Sequence, residues 1–347
     1  MERSTEHPDT GEVAPDTLWP RTEPIELQST PTMTQYRASL PQLTGQLFLA
    51  DAGVETDLIF NHGIEIREFA AHTLLPDKQN RQTIADYFRA FLTLARDTSA
   101  GFILDSQTWK AHPHWAEALG ASEDELRQAN RDSITFIAGL RDQFGDTGKP
   151  VVLNGVIGPR GDGYAPEATL AAHEAEDYHT KQIQWLAETE VDMLTATTFT
   201  QSDESIGVVR AAQKAGVPIV VSFTVETDGK LPTGQSLGGA IDAVDEATDS
   251  GAAYYMVNCA HPDHFSHVLE DSTWARRILG IRCNASRRSH AELDESETLD
   301  DGDPVQLATQ YAEIRKTMPW LSVFGGCCGS DFRHIAEIAK VVGFEGP

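Results

Sequence analysis

A closed (β/α)8 barrel, in the α/β class, is the fold this 347-residue sequence predicts. Three observations predict it. Eight short, apolar, β-branched runs punctuate the chain. Amphipathic stretches of helical length separate them. The unusual polar and thiol residues gather at the C-terminal ends of the runs. Strands that are apolar nearly throughout and spaced by helices belong to a parallel sheet covered on both faces. Eight such units in roughly 300 residues suit a closed barrel, whose strand ends converge on the face where such folds carry their chemistry. An open doubly wound sheet is the alternative. Asp51-Ala52-Gly53-Val54-Glu55, after the first run, lacks the glycine spacing of a dinucleotide-binding turn.

The elements follow in order. Residues 1 to about 40 are rich in Pro, Thr and Glu and show no sustained periodicity. They are expected to form a mostly disordered leader with an irregular docking segment, ahead of a barrel over 41–347. The eight runs are Leu47–Gly53, Gly101–Ser106, Val151–Gly158, Val191–Thr198, Val217–Val225, Ala252–Cys259, Ile278–Ser286 and Leu321–Cys328. Between them, Ser122 with Glu125 three residues on is a capping box, and it opens a helix through Leu126, Ala129, Ile137 and Leu140. Further helical patterns run over Arg81–Thr98, His173–Thr189, Glu204–Ala215 and Pro304–Met318. At the ends of the runs stand Asp51, Asp105, Asn154, Thr197, Glu226, Asn258-Cys259, Asn284 and Cys327-Cys328.

Composition excludes several classes. With 27 Lys and Arg against 53 Asp and Glu, the formal charge is −26, and such a surface repels phosphate backbones. No apolar run approaches the ~20 residues of a membrane helix. The N-terminus has no basic segment followed by an apolar one, so it does not read as a secretory signal. Four cysteines in a chain this long are not a disulfide scaffold. The expectation is a cytoplasmic protein that binds neither nucleic acid nor membrane.

Three of the four cysteines fall at two strand ends, Cys259 on the sixth run and the pair Cys327-Cys328 on the eighth. Both ends open on one barrel mouth, where three thiolates can meet a tetrahedral ion and leave its fourth position open, as in catalytic zinc sites. Sulfur donors favour zinc over magnesium or calcium. Three thiolates leave the site net negative, which suits an incoming thiol that loses its proton on joining the ion. Neighbouring residues on a strand point to opposite sides, so the adjacent pair needs a bend, for which Gly325, Gly326 and Gly329 are the candidates. Cys283 reads as a buried packing residue. His261 and His264, close behind Cys259, are candidates to support the site or supply a fourth ligand. His112 and His114, beside Trp109 and Trp115, read as a packed loop or as a stacking surface for a donor.

These residues carry a resemblance. Leu49-Ala50-Asp51-Ala52-Gly53-Val54-Glu55-Thr56, Asn154-Gly155-Val156-Ile157-Gly158-Pro159-Arg160-Gly161-Asp162, Val257-Asn258-Cys259 and Phe324-Gly325-Gly326-Cys327-Cys328-Gly329 stand in the order found in the homocysteine S-methyltransferases, which the sequence resembles from about Leu47 onward. The resemblance implies a barrel with zinc on Cys259, Cys327 and Cys328, and homocysteine as methyl acceptor bound through sulfur. It implies that Asp51 and Gly53, with Asn258 beside the first thiol and Thr108 after the second strand, belong to the acceptor site. One departure stands out. Where the family has a glutamate that meets the acceptor's ammonium, this chain has Thr197, a neutral hydroxyl that attracts a cation far less. Glu226, after the fifth run, is the candidate replacement.

The expected function is therefore zinc-dependent transfer of a methyl group to homocysteine, giving methionine, from a donor such as S-methylmethionine or S-adenosylmethionine. Two alternatives stand beside it: a zinc methyltransferase for another thiol, and a non-catalytic zinc- or thiol-binding barrel acting with a partner. No folate or cobalamin domain is visible in the sequence, so methylcobalamin chemistry would require a separate corrinoid or folate partner protein.

Overall fold

A computed structural model describes residues 34–343, apart from 146–147, 162, 164–168 and 297. Residues 1–33, most of the expected leader, lie outside the described residues. Eight parallel strands close into a barrel in sequence order. They are β1 (Phe48–Leu49), β2 (Gly101–Asp105), β3 (Val151–Ile157), β4 (Met193–Phe199), β5 (Ile219–Phe223), β6 (Tyr255–Asn258), β7 (Ile278–Cys283) and β8 (Val323–Gly326). Closure is made at β1, where Phe48 pairs with Gly101 on one side and Val323 on the other.

The principal helices are α1 (Val54–Phe60), α2 (Lys78–Asp97), α3 (Glu123–Phe144), α4 (Ala172–Ala187), α5 (Ser202–Ala215), α6 (Leu237–Thr248), α7 (Pro304–Thr317) and α8 (Phe332–Val341). The capping box at Ser122 and Glu125 forms as expected. None of these helices is long and apolar enough to cross a membrane. Three of them, α1, α6 and α8, escape the sequence patterns. Only seven residues form α1. Two glycines, Gly238 and Gly239, weaken the start of α6, which Ser236 nonetheless caps by accepting from the Gly239 N–H at 3.2 Å.

Strand residues alternate between two cores, which is why the runs are apolar throughout. Phe48, Ile103, Val152, Met193, Val220, Met256 and Val323 point into the barrel. Leu49, Phe102, Leu104, Leu153, Leu194, Val221, Val257 and Phe324 point out against the helices. Below the inner core, Leu40 packs against it, and Gln42 Nε2 donates to Tyr254 OH at 3.3 Å. The backbone N–H groups of Gln35 and Tyr36 both donate to Asp192 Oδ1 at 2.8 Å, and the Arg37 guanidinium donates to the carbonyls of Ala187, Thr189 and Val191. The segment 34–40 is thus seated on the floor of the barrel, leaving the opposite mouth to the strand-end residues.

Candidate active site at the barrel mouth

Cys259 follows β6, and Cys327 and Cys328 follow β8. Their sulfur atoms all lie within 4.8 Å of one another, with 3.8 Å between those of Cys259 and Cys328. Bonds of about 2.3 Å at tetrahedral angles place the sulfurs of a zinc site about 3.8 Å apart, the distance between Cys259 and Cys328, so the donor set suits zinc. Among the described residues no disulfide is formed. Hydrogen bonding with the Cys259 thiol, together with burial, pushes the Cys327 thiol up to about 12. Such a cluster keeps its protons until a cation offsets them. Cys283 stands apart and fully buried. Its backbone N–H donates to Tyr311 OH at 2.7 Å, in keeping with a packing role.

The bend that lets adjacent cysteines share a site is made at Gly329, with φ +77°. Gly325 and Gly326 serve differently from the expectation. Neither has positive φ, but a Cβ on Gly325 would lie 2.9 Å from the Ala50 Cβ and the Asp51 carbonyl oxygen. Gly325 is needed for close approach to the end of β1, and Gly326 for close approach to the Ser330 side chain, rather than for the bend. Cys259 itself has φ +53°, and its carbonyl is held by His290 Nε2 at 2.6 Å, Asn284 Nδ2 at 3.0 Å and Thr224 Oγ1 at 3.3 Å. Asn258 braces the opposite wall. It accepts from the Thr198 N–H at 3.0 Å and from Ser222 Oγ at 2.6 Å, and donates to Thr198 Oγ1 at 2.8 Å. Its amide also lies 3.9 Å from Cys327 Sγ.

Beneath the thiols lies a buried charge cluster. Arg282, on β7, pairs with both Asp51 and Asp105, and its Nε donates to the Gly326 carbonyl at 3.2 Å. Tyr87 OH donates to Asp51 at 3.2 Å. Asn154 Nδ2 donates to Asp105 at 2.7 Å, and its Oδ1 accepts from Thr195 Oγ1 at 2.9 Å. Burial pushes the Asp51 carboxyl up to about 7, with Arg282 pulling it down and Asp105 pushing it up. Burial works against the charge of Arg282, yet the two carboxylates hold its pKa well above the ordinary value. Arg282 was not among the sequence candidates. Its one signal is a charge in an otherwise apolar strand.

The thiols open on a cavity of about 420 Å³ whose wall includes Asp51, Gly53, Glu55, Trp109, Thr197, Asn258, Arg282 and all three cysteines, with Phe60, Phe69 and Phe88 as an aromatic side. Asp51, Gly53, Thr197 and Asn258 are thereby brought together with the thiols. Two expected residues are not. Thr108 is fully buried away from the cavity. Its hydroxyl donates to the Val156 carbonyl at 2.6 Å and contacts Ser106 Oγ at 2.7 Å, so it ties β2 to β3. Glu226 lies outside the cavity wall and faces His290 Nδ1 at 3.3 Å, so it supports the residue that holds the Cys259 carbonyl. His261 caps a short helical turn, accepting from the Asp263 N–H at 3.2 Å. His264 Nε2 meets the Arg287 carbonyl at 2.9 Å. Neither lines the cavity. Of the polar segment after β3, Gly163 reaches the wall, whereas Asp162 and Tyr164 lie outside the described residues.

Comparison with known proteins gives a consistent picture. Methionine synthases of Mycobacterium tuberculosis (strain ATCC 25618 / H37Rv) and Mycobacterium leprae (strain TN) are 34% identical over 142 residues and 33% identical over 141. These stretches amount to 40% of this chain and 11% of each relative, so the chain matches a small part of them. Among solved structures, the oxidized form of the homocysteine methyltransferase MmuM from Escherichia coli aligns with a TM-score of 0.65 at 17% identity, over 85% of this chain and 96% of that one. Its metallated form aligns at 0.64 and 16%, over 87% and 99%. At these identities the likeness shows a shared fold. The model of one sequence family, described as homocysteine S-methyltransferase, matches residues 48–342. The chain belongs to the homocysteine S-methyltransferase family.

Proposed function

We propose that this protein is a methyltransferase that moves a methyl group from a sulfonium donor, S-methylmethionine or S-adenosylmethionine, to the thiol of homocysteine, giving methionine, with zinc held by Cys259, Cys327 and Cys328. The observation that carries the reading is the convergence of three thiols, within 4.8 Å of one another, on the wall of a cavity that also holds buried carboxylates. Zinc at such a site favours the thiolate form of a coordinated thiol and leaves it nucleophilic.

The chain's own residues do the positioning. Asn258 fixes the β4 wall against the thiols, and the triple grip on the Cys259 carbonyl fixes the first sulfur. The cavity takes both reactants out of bulk water and aligns them, which supplies much of the acceleration in a displacement that needs no separate base. Charge selects the donor. Three thiolates around a doubly charged ion leave −1, and Arg282 offsets only one of the two carboxylates it touches, so the mouth attracts cations. Trp109, Phe60 and Phe69 add ring faces suited to a sulfonium. A donor carrying its own activated methyl needs no corrinoid or folate partner protein. The reduced thiols that the reading requires suit the cytoplasm. Thr197 on the wall favours a second reading, a thiol acceptor without an ammonium group.

The test is methionine formation, followed by mass spectrometry, from L-homocysteine and S-methylmethionine with zinc-loaded protein and a Cys328→Ala control. Methionine that vanishes in the control supports the proposal. Its absence from protein holding one zinc per chain, with another thiol methylated instead, supports the second reading.

A further inference from the structure

Homocysteine brings an ammonium group two methylenes and a Cα away from its sulfur, and a buried cation requires a carboxylate or its equivalent. Four carboxyl groups line the cavity: Asp51, Glu55, Asp105 and Asp300. Asp51 and Asp105 are committed to Arg282. Asp300 accepts from Ser286 Oγ at 2.7 Å and lies 3.5 Å from Arg288. Glu55 has no hydrogen bond or ion pair with another residue among the described residues. Thr56, next to it, and Gly53, two residues before it, are held against the turn that carries two of the thiols. Thr56 Oγ1 accepts from the Gly329 N–H at 3.2 Å and donates to the Gly53 carbonyl at 2.9 Å. Gly53 lies so close that an added Cβ would be 2.6 Å from the Cys327 carbonyl oxygen. The first turn of α1 therefore holds Glu55 beside the thiols, in a wall whose β4 side carries the neutral threonines Thr197 and Thr198 and no acid.

We infer that Glu55 is the residue that selects an amino-acid thiol, by receiving the acceptor's ammonium group in place of any acid at position 197. The inference rests on homocysteine being the acceptor, as proposed above. It replaces Glu226, which the structure puts behind His290. Glu55 touches the substrate in this assignment but takes no part in the methyl transfer itself.

The experiment compares zinc-loaded wild-type protein with Glu55→Gln, which keeps the side chain's shape and removes its charge. Calorimetric titration with L-homocysteine and with 4-mercaptobutyrate, the same thiol lacking the amino group, separates ammonium recognition from sulfur binding. Loss of a charge-assisted hydrogen bond is expected to raise the Kd for homocysteine about 10- to 100-fold. The Kd for 4-mercaptobutyrate is expected to stay the same or fall, and that ligand also reports whether the site is still folded. An unchanged Kd for homocysteine, or an equal rise for both thiols, overturns the assignment and leaves the functional proposal standing. A wild-type protein that holds zinc and binds neither thiol defeats the functional proposal, and this inference with it.

Discussion

Replacing Arg282 with Met should destabilise the fold by about 3–5 kcal/mol at pH 8, because it leaves two buried carboxylates without their shared cation. Asp51 is 1% exposed and Asp105 is 8% exposed, so neither can regain water without opening the barrel mouth. Tyr87 and Asn154 still donate one hydrogen bond to each, but neutral donors do not offset two like charges on adjacent strands. For a domain of this size, at about 2 °C per kcal/mol, the melting midpoint should fall by about 6–10 °C. The loss should shrink as pH falls. Burial already pushes the Asp51 carboxyl up to about 7, and without Arg282 it loses the cation that pulls it down; a carboxyl whose folded pKa is raised above its unfolded value near 4 costs stability only as pH climbs through that interval. Circular dichroism melts of both proteins at pH 8 and pH 5 measure this directly. The triple variant Arg282→Met, Asp51→Asn, Asp105→Asn, which removes all three charges, should recover most of the stability. A loss below about 1 kcal/mol at pH 8, or the same loss at both pH values, would refute the account of this cluster.

Three other outcomes are expected. Zinc measured by atomic absorption should be one per chain and fall to near zero in Cys328→Ala, whereas Cys283→Ala should retain it. Gly53→Ala would place a Cβ 2.5 Å from Thr56 Oγ1 and 2.6 Å from the Cys327 carbonyl oxygen; it should cost about 1–3 kcal/mol in denaturant melts and weaken zinc retention under a chelator. Burial lowers His72 to about 4. Between pH 6.5 and 4 the unfolded chain takes up a proton that the folded chain refuses, so stability falls by up to roughly 3 kcal/mol as pH drops through that window. His72→Phe should flatten that part of the stability profile, and an unchanged slope in urea titrations would count against it.

The barrel was legible because each strand is buried on both faces, which makes its apolar character continuous in sequence. The thiol site was legible for a related reason. A strand-end position fixes which mouth a residue reaches, and three cysteines at two such ends have few other uses. Position alone does not fix where a side chain turns, and that is where the reading of the site departs from the structure. Thr108 and Glu226 both stand after strands, yet one closes a hydrogen-bonded seam between β2 and β3 and the other backs His290. Arg282 was hidden because its partners lie 177 and 231 residues away, a pairing that no local pattern carries. The seven residues of α1 were too few for a helical period to show, although their first turn shapes the cavity beside the thiols.

The backbone strain at the mouth has a common logic. Thr198 and Cys259 are both non-glycine residues with positive φ, at +65° and +53°, and for a β-branched threonine that conformation is a true outlier. Each costs on the order of 1–3 kcal/mol and persists only where its surroundings over-determine it. Three donors fix the Cys259 carbonyl, and Asn258, its neighbour in the chain, fixes Thr198 through both N–H and hydroxyl. The same asparagine approaches Cys327. One side chain therefore joins the strained end of β4, the strained end of β6 and the thiols of β8. Cys259 must leave the alternation of its strand to bring its sulfur within reach of the other two. The neutral wall at Thr197 is carried by the strand that Asn258 holds in place. The thiol cluster and the surface proposed to meet the rest of the acceptor are therefore one mechanical unit, so a change that relaxes either strained residue should disturb metal retention and acceptor binding together.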